Sequence, residues 1–401
     1  MNVSRYRWAV DQVSGHALPT RRAFYDELFA NGTAAGMVMF EQDFLCVINT
    51  VATLTNTDLA TGNAWVAAID AAATDANIML QWCMMNGVHA LATTWTSRVT
   101  NGRATRDNHP HQVQSPGINL GNAGNGLVLG VSGMLHHALG IWPSRDNVWT
   151  NSSVREHGGP EPMPVTQTRL AVLAGGPYGP SDGAGSANRS LILSSCRDDG
   201  VLLRADKPVT MLDRALRLSG FAPSQTPRAV NAWATYTQIG DLRWSYVLGL
   251  DLLAPVSVTP MDLGVVSPGA ALLAWEHGGW PTSVTGVTAA APLALPATGA
   301  PLDPATILAS YYVLAQVLPN GWAFLGEPGK MWRFRAAGCP GWRPPMGGRC
   351  TLTAVWAILH RRTHSSSVLP RAHCAVLTPL IPRRHVHISP CFPTLRPKQR
   401  L

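Results

Sequence analysis

Up to about residue 215 helix signals and strand signals take turns, and past Pro227 that rhythm gives way to short alternating runs. No other feature of the sequence narrows the fold as far. A helix is expected over Thr20–Phe29, followed by the apolar strand Met37–Phe40. Asp58 is a candidate N-cap for a long helix that reaches Met85 and is closed by Gly87. Next come a strand at Val88–Thr94, a short strand-like segment at Arg103 and a polar Gly/Asn-rich loop over 115–126. A helix from about Leu127 to His136, a strand at Ala138–Trp142, a helix from about Met163 and the strand-like Leu170–Ala174 complete the series. Strands near 37, 89, 103, 138 and 170 with helices between them specify an α/β fold with a parallel sheet. They are too few to close an eight-stranded barrel and enough for about the second half of a (β/α)8 TIM-type barrel. Beyond Pro227, Ala232–Gln238 and Leu242–Gly249 carry the period-two texture of an antiparallel β-sandwich. The expected division is a partial barrel over 1–220, a sandwich domain over 221–330 and a basic, disordered or non-native tail over 331–401.

Composition supports two packed units. The 401 residues are 46% hydrophobic and 13% charged, too apolar for a disordered chain. The formal charge of +8 misleads, because residues 331–401 hold 12 Lys+Arg and no Asp or Glu, which leaves 31 − 12 = 19 basic against 23 acidic residues before them. The tail has no basic run longer than two residues and little aromatic interleaving, so no nucleic-acid partner is expected. No run of 18 apolar residues exists for a membrane span, no membrane partner is expected, and the compartment stays open. Only Cys46, Cys83 and Cys196 lie before the tail, and they read as buried thiols. Asn2, Asn31, Asn151 and Asn188 open Asn-x-Ser/Thr triplets, which matter only on a secretory route.

The chemistry sits at strand ends. Asp43 closes Gly36–Asp43 and Asp107 closes Arg103–Asp107, two carboxylates at the ends of successive short segments. Retaining sugar transfer needs such a pair, one nucleophile and one acid/base, roughly 5 Å apart. Trp95, Arg98, Arg103, Trp142, Asp146 and Asp182 are the other polar or aromatic residues that this strand assignment puts at carboxyl ends, where a β/α barrel keeps its catalytic groups. Aromatic rings pack on the C–H face of a pyranose, while Asp and Arg bond its hydroxyls. His109, His111, His136 and His137 have no partner at zinc-ligand spacing, so no metal is expected; two carboxylates suffice, so no cofactor is either.

Several segments have the order and spacing of a known pattern. Glu41-Gln-Asp43 matches a strand ending Lys-x-Asp, with Glu in place of Lys, and Arg103 precedes Asp107 by four. Trp142-Pro-Ser-Arg-Asp146 keeps the Trp and one Asp of a Trp-Asn-Asp-Pro-Asp segment. Ala174-Gly-Gly-Pro-Tyr-Gly-Pro-Ser-Asp182 and Cys196-Arg-Asp-Asp-Gly-Val-Leu-Leu-Arg204 follow in the right order. Residues 20–215 thereby resemble the second half of the catalytic barrel of the α-galactosidase and raffinose synthase superfamily, the melibiase-like retaining glycoside hydrolases. The resemblance implies a carbohydrate substrate, Asp43 as nucleophile and Asp107 as acid/base, with Glu41, Trp95, Arg103, Trp142, Asp146 and Asp182 around the sugar. It also implies that the chain starts near the third helix of the barrel, leaving sheet edges open; a homo-oligomer is one way to cover them. Two alternatives stay open beside hydrolysis: a raffinose-synthase-like transglycosylase, and an inactive carbohydrate-binding remnant.

Overall fold

The computed structural model describes residues 6–331 apart from 106–131, 153–160, 222–231, 277–283, 298–308 and scattered shorter breaks, and beyond 331 only two short strands. A hairpin of β1 (Trp8–Val10) and β2 (Ala17–Pro19) leads into a helix at Ala23–Ala34. Four parallel strands follow, β3 (Met39–Gln42), β4 (Met79–Trp82), β5 (Val99–Arg103) and β6 (Trp142–Ser144), hydrogen-bonded in chain order. A fourth parallel contact, the single bridge Val148 to Pro180, extends the series.

The alternation of this sheet has a simple origin. Leu80 and Trp82 of β4 are fully buried, whereas Met79 is exposed and Gln81 half-buried. One face therefore belongs to the helices Ala23–Ala34 and Leu59–Asp75, which bring Tyr25, Phe29, Trp65 and Ile69 into one core with Leu80 and Trp82. Each large apolar side chain buried this way contributes about 1.5–3 kcal/mol. Trp65 Nε1 donates to the Tyr25 hydroxyl at 2.6 Å, which matches those two polar atoms, while the buried Trp82 Nε1 has no hydrogen-bond partner among the described residues. The opposite face carries Glu41, Gln81, Asn101 and Arg103.

Four elements depart from the sequence reading. The long helix ends at Asp75 rather than Met85, because Asn77 takes the left-handed backbone (φ 53°) and turns the chain into β4. Val88–Thr94 is not a strand: Gly87–Ala92 is a short helix, and the strand starts at Val99. The strand expected over Ala138–Trp142 begins only at Trp142, since Gly140 (φ 76°) closes a helix over 132–138. Leu170–Ala174 is the last turn of the helix Pro164–Ala174, which starts on a proline at its first position and ends at left-handed Gly175.

From β7 (Thr210–Met211) onward the texture is antiparallel. A six-stranded sheet runs β12 (Thr285–Val287), β11 (Leu272–Glu276), β14 (Ala309–Gln316), β9 (Leu242–Leu250), β8 (Ala232–Ile239), β7. The pair β10 (Val256–Val258) and β13 (Leu293–Leu295) joins its core through Val258, Leu293 and Leu295. Trp233, Trp244, Tyr246 and Tyr311 fill that core, and Leu170, Leu173 and Ala174 enter it from the helix Pro164–Ala174. The parallel and antiparallel parts thus share packed surface. A three-stranded sheet of β15 (Trp322–Phe324), β16 (Trp356–His360) and β17 (His373–Ala375) reaches into the stretch read from composition as an irregular tail.

One consequence for stability follows from the short helix. His89 is buried, its Nδ1 accepts the Asn86 N–H at 3.4 Å, and burial lowers its pKa from 6.5 to about 4. A folded pKa below the unfolded one means that the unfolded chain binds the extra proton first. The stabilisation is complete above pH 6.5 and is lost as the pH falls through 4. The loss is expected to reach about 3 kcal/mol, and burial of His136 shifts its pKa in the same direction. Urea denaturation at several pH values checks this: His89→Gln should flatten the slope between pH 6.5 and 4, and an unchanged slope would contradict the assignment.

Candidate active site

Asp43 stands where β3 ends. Phe44, in the left-handed region (φ 60°), turns the chain into a helix whose first residue, Leu45, is fully buried. Three backbone bonds tie this corner to the end of β4: Cys83 N to Gln42 O at 2.9 Å, Leu45 N to Cys83 O at 3.4 Å and Cys46 N to Met84 O at 2.8 Å. Asp43 Oδ1 accepts its neighbour's N–H, from Phe44, at 2.6 Å. The buried Cys83 thiol lies among the polar groups. Burial is the main cause that pushes its pKa up, hydrogen bonding with the Asp43 side chain adds to it, Arg103 opposes it, and Glu41 contributes to the rise. The hydrogen bond with Asp43 and the charges of Arg103 and Glu41 thus act on one buried thiol.

A polar row crosses the sheet on the face away from the helices. Glu41, Gln81, Asn101 and Trp142 are register partners on β3, β4, β5 and β6. Asn101, almost fully buried, donates through Nδ2 to Gln81 Oε1 at 2.5 Å, and Gln81 Nε2 donates to Glu41 Oε1 at 2.7 Å. Thr100 Oγ1 donates to Asn101 Oδ1 at 3.1 Å. An irregularity between Leu80 and Gln81 brings Asn101, rather than Thr100, opposite Gln81. Two positions further along β5, past Gly102, Arg103 Nη1 lies 3.6 Å from Asp146 Oδ1, with both side chains mostly shielded. Trp142 is half-buried, and the Arg204 guanidinium sits 3.9 Å over its ring.

Of the residues singled out in the sequence, Glu41, Asp43, Arg103, Asp146 and Trp142 lie along the carboxyl half of the parallel sheet. Asp107 lies outside the described residues. Asp182 is on the adjoining loop, but its carboxylate is occupied: it accepts from Thr150 N, Asn151 N and Thr150 Oγ1 at 2.9, 3.0 and 2.7 Å, pinning the chain beyond β6. Trp95 is half-exposed between the helix Gly87–Ala92 and the start of β5, at the opposite end of the sheet. Arg98 also belongs to that end, donating to Ile78 O and Asn77 Oδ1. Gln81 and Asn101 went unnoticed in the sequence, while Cys83 reads only as a buried thiol and Arg204 only as the end of a matched segment; a strand assigned at 79–82 would have exposed Gln81. Among the described residues no three His, Cys, Asp or Glu are grouped to hold a metal ion, and no helix is long and apolar enough to cross a membrane.

The elements define a mixed α/β protein with one parallel and several antiparallel sheets, its polar groups gathered toward the carboxyl ends of the parallel strands. A comparison with protein families finds no match, and neither does one with curated proteins. Among solved structures the chain is similar to a glycoside hydrolase family 97 enzyme in complex with panose from Pseudoalteromonas sp. strain K8, with a TM-score of 0.39 and 10% identity. The match covers 76% of this chain and 45% of that one, so the chain spans less than half of that enzyme's length.

Proposed function

We propose that the chain is a retaining glycoside hydrolase of α-galactosidase-like kind, acting on α-linked sugars by double displacement. The observation that supports this reading is the Arg103–Asp146 pair beside the polar row that runs from Glu41 across the carboxyl half of the parallel sheet. An Asp43 oxygen would attack the anomeric carbon as the glycosidic bond breaks. Asp107 would protonate the leaving oxygen and then take a proton from the water that releases the sugar from Asp43. Glu41, Arg103, Asp146 and Trp142 would hold the sugar. A raffinose-synthase-like transglycosylase would use the same carboxylates and differ in the acceptor that reaches the glycosyl-enzyme.

A panel of aryl α-glycosides, α-galactoside included, tests the reading with the purified full chain. Aryl release with retention at the anomeric centre is the expected result. Silence across the panel from folded protein would count against turnover, and sugar binding without release would identify a non-catalytic remnant.

A further inference from the structure

Two buried charges take no part in the chemistry above. Arg145, the first residue past β6, and Glu161, ahead of the helix Pro164–Ala174, are 5% and 0% exposed. Both are fastened to the start of that helix. Glu161 Oε1 accepts the Met163 N–H at 2.8 Å, and Arg145 Nη1 donates to Gln167 O, about one turn further on, at 3.3 Å. The second Glu161 oxygen, Oε2, is buried and has no hydrogen-bond partner among the described residues. An isolated buried carboxylate is costly, so a neighbouring charge has to compensate it. Arg145 is that charge. Burial raises the Glu161 pKa, and the Met163 N–H and Arg145 oppose the rise. Burial lowers the Arg145 pKa to about 10, and Glu161 first, then Asp146, oppose the fall.

Asp146 therefore has two arginines within its influence: Arg103 of β5, 3.6 Å from its Oδ1, and Arg145, its neighbour in sequence. In the series Glu161, Arg145, Asp146, Arg103 the signs alternate. With Glu161 neutral, Asp146 would be the remaining carboxylate acting on Arg145, and Arg103 would have to share it. We propose that Glu161 is a positioning residue for the candidate site: it holds Arg145 against the helix Pro164–Ala174 and thereby leaves Asp146 to Arg103. The effect on the ion pair stands on these contacts; the effect on a bound sugar rests on the carbohydrate reading above.

A double-mutant cycle of Arg103→Gln and Asp146→Asn, read by urea denaturation of the full chain, measures the ion pair without any sugar. In the parent the coupling is expected to change the unfolding constant about fivefold, and in Glu161→Gln less than about twofold. Gln keeps an oxygen for the Met163 N–H, so the start of the helix stays capped. Galactose titration supplies the second readout. Glu161→Gln should weaken binding by about five- to tenfold, whereas Arg145→Gln should lower stability and leave affinity within about twofold, because no second arginine then competes for Asp146. Both substitutions together should restore the affinity that Glu161→Gln loses. A purely structural role would make affinity follow stability in all three variants, and that result overturns the proposal. An unchanged Arg103–Asp146 coupling in Glu161→Gln overturns it as well. Coupling that falls as expected in a protein that binds no galactose would uphold the proposal and count against the carbohydrate reading. If Glu161→Gln alone does not fold, the cycle is run with Arg145→Gln added, where a coupling smaller than the parent's is the overturning result.

Discussion

Asp43→Asn is expected to lower release from the best aryl α-glycoside by about a thousandfold or more, because the amide cannot form the glycosyl-enzyme and no later step can replace that bond. A thousandfold is about 4 kcal/mol of transition-state stabilisation, too large for a subtle shift of the neighbouring groups to mimic. The substitution keeps the shape of the side chain and the oxygen that can accept from Phe44 N, so the corner between β3 and the following helix stays tied to β4. Melting temperature should stay within a few degrees of the parent. A variant that retains turnover removes Asp43 from the nucleophile role. Loss of folding along with turnover would call for Asp43→Ser as the second comparison. Because Cys83 shares its environment with Asp43, a change in thiol reactivity toward a maleimide in Asp43→Asn would report independently that the two side chains meet.

The antiparallel half was legible because it rests on period alone: β8 and β9 read as strands from their residues, whereas the alternation of Leu80 and Trp82 falls inside the run that reads as one long helix. The phase of the elements between 76 and 99 was not legible. Ala-rich helix runs into Ile78–Trp82 with neither Gly nor Pro between, and the signal that stops it is one Asn in the left-handed region, a conformation Asn tolerates without announcing it. Val88–Ala92 is apolar enough to serve either element, and its helical state comes from burial of His89, Ala90 and Ala92 on one side. These errors of phase carried Trp95 to a carboxyl end in the reading, whereas it stands at the amino end of β5. Motif spacing marked Asp43, Arg103 and Asp146 directly, and they lie along the carboxyl half of the parallel sheet. The row Glu41–Gln81–Asn101 was out of reach, since it exists only through register between strands that lie 40 and 20 positions apart in sequence.

Gly176→Ala is expected to destabilise the chain by about 3 kcal/mol, lowering Tm by roughly 6–12 °C. A Cβ there would lie 2.4 Å from Pro143 O and 3.0 Å from Ser144 Cα, and these are backbone atoms of β6 that no rotamer change can move. Gly176 N also donates to Pro143 O at 3.1 Å, so moving the turn away from β6 to admit the methyl stretches that bond. The neighbouring Gly175 makes a useful contrast. Its Cβ would meet Trp142 Cζ3 at 2.5 Å, but the obstacle is a half-buried ring that can pivot, and the remaining cost is the left-handed backbone at φ 81°. Gly175→Ala should therefore destabilise by about 1–2 kcal/mol and displace Trp142 from beneath Arg204. In Gly176→Ala the displacement falls on the β6 backbone, which carries Asp146 two residues past its end, so the ion pair with Arg103 opens and sugar affinity falls with stability. Thermal melts together with sugar titrations separate the two cases. A Gly176→Ala variant that melts with the parent would mean that the turn after the helix Pro164–Ala174 does not pack on β6 as described, and the position of Asp146 would lose its main support.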